Sequence, residues 1–399
     1  MSGTVSAKRV FLYVQHLLGI GHLKRAVTLA RAFAACGLEV TLASGGFEVP
    51  GLIAQGVRTV QLPPTAAVDM QFKQLLDESG RPIDDQWKRR RCAALLAAWQ
   101  AADAHVLLIE LFPFGRRQMR FELLPLLDAA HAAARRPVIV SSVRDVLGGG
   151  QRDPARQDEM LALFERYFDH LLVHGDPAFI GFDRTFRHAA RLAGRMHYTG
   201  YVVDGAAPVG HCAGRDGGAG TDEVIVSAGG GAVGRRLLET AARARPLTAL
   251  AHRTWRLLVG VNAEPAEYDA LTRLAGEIGE GRIIVERARA DFTQLLANCL
   301  LSVSQVGYNT IMEILHAGAR AVAVPWAGGA ETEQTLRARL LAEHGLIEMV
   351  DDAALVPETL AAAIDLAALR PRRAVQVIDL GGAQRSAALL ARWAAELEW

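Results

Sequence analysis

A chain of 399 residues, 51% of them hydrophobic, is long enough for two domains that each bury a core. Its formal net charge of +1 argues against nucleic-acid binding, which needs a clustered cationic surface. Four cysteines, Cys36, Cys92, Cys212 and Cys299, have no C-x-x-C spacing. They read as small apolar filler in a reduced, cytoplasmic setting, not as a disulfide framework or a zinc site. Met1–Lys8 has no apolar signal core, and the chain has no run of about 18 apolar residues that would read as a membrane span.

The first apolar run, Val10 to Val14, predicts a buried parallel strand. A Gly-containing loop follows, then a helical pattern from His22 to Ala35 that Gly37 punctuates. Leu38 to Ala43 reads as the next strand, before Ser44-Gly45-Gly46. Val57–Leu62, His105–Ile109, Val138–Ser141 and Leu171–Val173 are further strand candidates, with helices at Gln86–Ala102 and Arg120–Ala134. This alternation predicts a doubly wound α/β domain over residues 1–203.

Several residues of this domain carry chemistry. Gly21 permits close backbone approach on the first strand-to-helix turn. His22 opens the helix, where a neutral imidazole can act as a general base; its bland alternative is a helix cap. Arg25 lies one turn on, on the same face, as a cleft residue or a salt-bridge partner. Glu110 ends a strand beside Phe112-Pro113-Phe114-Gly115 and is a candidate to orient His22. Arg144-Asp145 ends another strand, as a cleft contact or a loop salt bridge. The stretches Trp87–Arg91 and Phe112–Arg120 are basic with apolar neighbours. They are candidates for peripheral membrane contact, at about 1 kcal/mol per basic residue, or are solvated helix faces.

Residues 204–221 are rich in glycine and read as a linker. The α/β pattern then restarts over residues 222–380, with strands at Glu223–Ser227, Trp255–Val261, Arg282–Glu286, Cys299–Ser304 and Arg320–Pro325. Gly229-Gly230-Gly231 follows the first of these, and consecutive glycines let N–H groups converge on an anion. It is not an NTPase loop, since no lysine follows. Ser304-Gln305-Val306-Gly307-Tyr308-Asn309-Thr310 leads into a helix expected to start near Thr310, which would cap it. Its N-terminus suits a phosphate, and Glu313, one turn in, suits a ribose hydroxyl pair. The next helix opens with Glu333 and Gln334, one of them facing sugar hydroxyls. Polar groups at such strand ends are where open α/β sheets bind ligands.

These motifs resemble the nucleotide-binding signature of GT-B glycosyltransferases, and most closely that of the N-acetylglucosaminyltransferases acting on the peptidoglycan lipid intermediate. That pattern reads S-R-A-G-A-x-T-x-x-E, then an apolar-Pro pair, then a Gln-containing helix start; here Gln305 stands at its arginine. The stretch Gly19-Ile20-Gly21-His22-Leu23-Lys24-Arg25 is similar to the G-x-G-H-x-x-R loop of a nucleotide-sugar hydrolase family. The resemblance implies a GT-B fold, two Rossmann-like domains facing across a cleft, with residues 381–399 a helix that returns to the N-terminal domain.

It further implies a donor, a UDP-linked sugar, held by Gly229, Gly230, Gly231, Ser304, Gly307, Thr310, Glu313, Glu333 and Gln334. The acceptor is an unidentified hydroxyl, with lipid-linked acceptors included, in bacterial cell-surface glycan or glycolipid synthesis. Gly21, Arg25, Glu110, Arg144 and Asp145 are the candidates on its side. No Asp-x-Asp motif appears, so no metal or other cofactor is expected. Hydrolysis of a nucleotide sugar by the same fold is the alternative, and a non-catalytic nucleotide-sugar-binding scaffold is the second.

Overall fold

The computed structural model of the chain describes residues 7–52, 55–68, 74–148, 153–203, 218–228, 234–260, 263–289, 291–326, 333–372 and 378–397. It divides into two units, Met1–Asp204 with Asp379–Trp399, and Gly205–Ile378.

The strands of unit 1 are β1 (Arg9–Val14), β2 (Glu39–Ser44), β3 (Arg58–Gln61), the short pair β4 (Ala66–Ala67) and β5 (Leu75–Leu76), β6 (Val106–Glu110), β7 (Val138–Arg144), β8 (His170–His174) and β9 (Met196–Tyr198). Seven form one sheet in the order β3-β2-β1-β6-β7-β8-β9, every neighbouring pair parallel. The order reverses between β1 and β6, the switch point at which such sheets bind ligands beyond their carboxyl ends.

Helices α1 (Gly21–Ala35), α2 (Asp85–Ala102), α3 (Arg120–Ala132) and α4 (Pro154–Tyr167) follow strands. The central strands are covered on both faces, so they read as unbroken apolar runs rather than alternating ones. On one face Phe11, Tyr13, Leu107 and Ile109 join a core with α2, α3 and α4; on the other, Val10, Leu12, Val14 and Leu108 join one with α1. In α1 the apolar stripe Leu23, Ala26, Val27, Ala30 and Phe33 has helical spacing and is buried. Gly37, at φ 83°, follows the helix end.

Unit 2 consists of β10 (Val224–Ser227), α5 (Arg235–Ala244), β11 (Trp255–Val259), α6 (Pro265–Ile278), β12 (Ile283–Arg287), α7 (Phe292–Asn298), β13 (Leu301–Ser304), α8 (Tyr308–His316), β14 (Ala321–Ala323), α9 (Glu333–Glu343), β15 (Glu348–Met349) and α10 (Pro357–Leu369). Its sheet is parallel, ordered β12-β11-β10-β13-β14-β15, the same topology with its switch point between β10 and β13.

The last helix, α11 (Gly382–Ala395), belongs to unit 1. Ala383, Ala387, Leu390, Trp393 and Ala394 bury into the core beside α1. Trp393 stacks on the His170 ring at 3.9 Å. Gly382 lies so close to Gly200 and Tyr201 that a Cβ would meet their carbonyl oxygens at 2.4 and 2.6 Å. A larger residue there would push the helix off its seat.

Candidate functional site

In unit 1 the polar residues gather at the carboxyl ends of β1, β6, β7 and β8. His22 is the second residue of α1. Ile20 is the N-cap and makes no side-chain capping bond, so His22 does not cap the helix. Its Nδ1 lies 2.8 Å from Oε1 of Glu110, the last residue of β6. The same oxygen accepts from Arg25 Nη2, which also lies 3.3 Å from His22 Nδ1. Glu110 and Arg25 are buried, while 17% of the His22 side chain stays open to solvent. Glu110 Oε2 is buried with no hydrogen-bond partner among the described residues.

Burial alone would raise the Glu110 carboxyl, but His22, Arg25 and Arg116 hold it well below the usual carboxylate range. Glu110 is therefore ionised and can only accept. His22 Nδ1 must then donate, which leaves Nε2 with the free lone pair. Burial, reinforced by Arg116 and Arg144 against the pull of Glu110, lowers the His22 pKa to about 3. The carboxylate is the main opposing influence, and burial outweighs it. A pKa shifted in this direction favours the neutral imidazole expected from the sequence.

A second histidine lies under the first group. His174, last in β8 and fully buried, has Nε2 at 2.7 Å from Ser142 Oγ and Nδ1 at 2.8 Å from Thr199 Oγ1. Burial and Arg25 lower its pKa to about 3, with Glu110 opposing. Arg144 is the last residue of β7 rather than a loop residue, and Asp145, fully buried, accepts from Tyr201 Oη at 2.7 Å. Sequence reading placed that strand's end at Ser141 or Ser142, because the polar residues that finish it look like loop.

The loop floor is fixed by Arg91. Its guanidinium donates to Glu122 at 2.8 and 3.0 Å, Gln15 Oε1 at 2.7 Å, Gly45 O at 2.9 Å and Pro63 O at 2.5 Å. Tyr13 Oη donates to Glu122 at 2.5 Å. Arg91 thus ties together the loops after β1, β2 and β3. Glycine is required beneath it: a Cβ on Gly45 would meet Arg91 Nη2 at 2.1 Å, and one on Gly46 would meet the His16 ring at 2.3 Å.

The two basic stretches turn some of their residues inward, and one cysteine is not core filler. In the basic stretch Trp87–Arg91, Trp87 and Arg91 point into the core, Lys88 pairs with Asp85 and Arg90 with Glu78. In the second stretch Arg116 turns inward and Arg120 pairs with Glu159. Cys36 is exposed, so it fills no core; Cys212 lies outside the described residues.

In unit 2, α8 starts at Tyr308 with Gly307 as N-cap, so Thr310 sits inside the first turn and does not cap it. Gly307 makes no side-chain capping bond, and a Cβ added there would meet nothing within 4 Å. The fold does not demand glycine at this position. Thr310 and Glu313 are half-buried on one side of the helix, opposite the buried Ile311, Met312 and Ile314. Ser304 is fully buried with its Oγ 2.9 Å from Ser302 Oγ, which turns its hydroxyl into the sheet. Glu333, buried, pairs with Arg337 at 3.1 Å, and the Arg337 guanidinium lies over the Tyr308 ring at 5.2 Å. Gln334 Oε1 accepts from the Trp326 N–H at 3.4 Å. Gly229, Gly230 and Gly231 lie outside the described residues.

Among the described residues no group of three or more His, Cys, Asp or Glu side chains is placed to hold a metal ion. No described helix is long and apolar enough to cross a membrane.

Residues 230–384 match the glycosyltransferase family 28 C-terminal domain, a span that includes β13, α8 and α9. Comparison with curated proteins finds no match. Among solved structures, the calicheamicin glycosyltransferase CalG4 is 16% identical, with 98% of this chain and 100% of that chain covered and a TM-score of 0.62. MurG of Acinetobacter baumannii is 14% identical, over 96% of this chain and 99% of that one, TM-score 0.61. Os79 of O. sativa, solved in complex with UDP, is 15% identical over 96% and 100%, TM-score 0.61. The chain has the GT-B fold of two Rossmann-like units, and its glycosyltransferase domain marks it as a glycosyltransferase.

Proposed function

We propose that the chain moves a sugar from a nucleotide diphosphate sugar to a hydroxyl acceptor, with the donor held by unit 2 and His22 of unit 1 as general base. The observation that carries this reading is the shared Glu110 oxygen, which fixes the His22 tautomer and turns Nε2 into the acceptor of a proton. The acceptor's O–H gives its proton to Nε2 while its oxygen attacks the anomeric carbon. The bond from that carbon to the diphosphate oxygen breaks, and its electron pair leaves with the diphosphate. A single displacement of this kind inverts the anomeric configuration. As His22 gains charge, Glu110 stabilises the imidazolium.

The departing diphosphate needs positive partial charge. The N-terminus of α8, open at Gly307, and the backbone of Gly229–Gly231 supply it in this reading, with Thr310 nearby. Glu313 takes the ribose hydroxyls and Gln334 the sugar. Uridine is the base proposed, which the UDP-bound structure of like fold supports. The mechanism assigns no step to a metal or cofactor. The proposed setting is bacterial cell-surface glycan or glycolipid assembly in the cytoplasm, with the acceptor reached in solution or at the membrane's inner face.

Product analysis with a panel of nucleotide sugars, with and without extracted lipid, tests the reading. Transfer of the sugar to an acceptor is expected. Free sugar released at the same rate without acceptor would convert the proposal to a hydrolase.

A further inference from the structure

We propose that Arg116 and Arg144 hold an anionic group of the acceptor, a phosphate or a carboxylate, beside His22. This rests on unit 1 being the acceptor's unit. It names a chemical class for the acceptor and a subsite for its charge.

Arg144 ends β7, whose Ser142 pairs in register with Glu110 of β6. Arg116 follows Phe112-Pro113-Phe114-Gly115, in which Phe112 and Phe114 are fully buried. Phe114 packs edge-on against Phe182 and Phe186, with ring centroids 5.5 and 5.1 Å away. The loop is thus anchored in the core, and Arg116 is held at φ 58°, ψ 31°, a left-handed backbone that costs a side-chain-bearing residue energy. Its Nε donates to Gln15 O at 2.8 Å. Its two Nη groups have no hydrogen-bond partner among the described residues. A half-buried, anchored guanidinium with its fork unoccupied is suited to bidentate capture of a phosphate or carboxylate.

The charge balance points the same way. Arg25, Arg116 and Arg144 all act on the His22–Glu110 pair or on one another, and Glu110 is the carboxylate that opposes them. Arg25 is already paired with Glu110. Asp145 accepts from Tyr201. An anion bound at Arg116 would offset the repulsion between its guanidinium and that of Arg144. The same anion would offset the part of the His22 depression that Arg116 and Arg144 add to burial, so the base would gain strength with the acceptor in place. The groups that face His22 in this balance are Glu110, Arg25, Arg116 and Arg144.

The test uses the full chain with labelled histidine, the His22 ring signals assigned through His22→Asn. The ring is titrated by NMR with inorganic phosphate and, separately, with acetate. Wild-type protein should show a saturable shift of the His22 signals and a rise in its pKa with at least one of the two; tighter phosphate binding identifies a phosphate-bearing acceptor, tighter acetate binding a carboxylate. Arg116→Gln should weaken that binding at least tenfold and raise the His22 pKa without any anion, which a merely structural arginine would not do. Unperturbed backbone spectra and melting temperature establish that the variant is folded, and Arg144→Gln repeats the measurement if it is not. His22 signals indifferent to both anions, or equal affinity in the Arg116→Gln, Arg144→Gln double variant, would overturn the proposal. That outcome leaves the base role of His22 standing, since turnover of His22→Asn measures it separately.

Discussion

Glu110 Oε1 receives both His22 Nδ1, at 2.8 Å, and Arg25 Nη2. One buried carboxylate oxygen therefore sets the tautomer of a histidine and compensates an arginine on the same helix turn. Glu110 comes from β6 and the other two residues from α1, across the point where the strand order reverses. The pair is thus a product of topology, and each half of it has a distinct consequence.

Glu110→Gln keeps the side chain's shape and removes its charge. Turnover should fall roughly 10²-fold, within the span that loss of general-base assistance covers. Arg25, buried, would lose its Glu110 partner, so the variant should also be less stable at neutral pH. The folded pKa of Glu110 is depressed, so its stabilisation is present above the unfolded value of about 4.3 and lost as pH falls through the folded one. Denaturant unfolding should show wild type losing stability below about pH 4.3 in a way the variant does not. Equal acid sensitivity would refute the ion pair.

His174 predicts a different window. Its folded pKa, about 3, lies below the unfolded value near 6.5. Above pH 6.5 neither state binds the proton. Below it the unfolded chain does and the native one does not, so stability drops by up to about 1.4 kcal/mol per pH unit. His174→Gln should flatten the curve between pH 6 and 4 by close to one proton. An unchanged slope would mean that His174 titrates normally.

The Arg91–Glu122 pair, both side chains fully buried, predicts the largest stability effect. Glu122→Ala leaves the Arg91 charge without its carboxylate and should cost about 3–5 kcal/mol in urea unfolding. Glu165→Ala, which breaks an exposed pair with Arg191, should cost little. Similar losses in the two variants would contradict the brace.

Glu313→Ala should weaken uridine diphosphate binding by about 1.5–3 kcal/mol, roughly ten- to hundredfold in Kd, without loss of fold. Isothermal titration reads it directly. Unchanged affinity would remove Glu313 from the donor site.

The doubly wound architecture was legible because buried parallel strands such as Val10–Val14 appear as continuous apolar runs, each followed by a helical stripe. Strand ends were not. Arg144 and His174 finish β7 and β8 as polar residues, so they read as loop. β9 (Met196–Tyr198) and the two-residue strands β4 and β5 are too short to show a period. The inward turn of Arg91 did leave a trace: Trp87, Arg91, Leu95 and Trp99 recur every four residues along one buried face of α2. Its partner Glu122 lies on another helix, 31 residues on, where no local pattern reaches. Arg116 was hidden in the same way, its basic neighbours suggesting a surface while two buried phenylalanines turned it inward.

The most direct measurement of the account compares His22→Asn with wild type in one preparation: single-turnover rate, uridine diphosphate affinity and melting temperature. A general base contributes about 10²–10⁴-fold to rate, and the proposed donor motif lies in unit 2, whereas His22 lies in unit 1. The account predicts a rate lowered by that factor, with nucleotide affinity and melting temperature nearly unchanged. Turnover at the wild-type rate per folded molecule would contradict it.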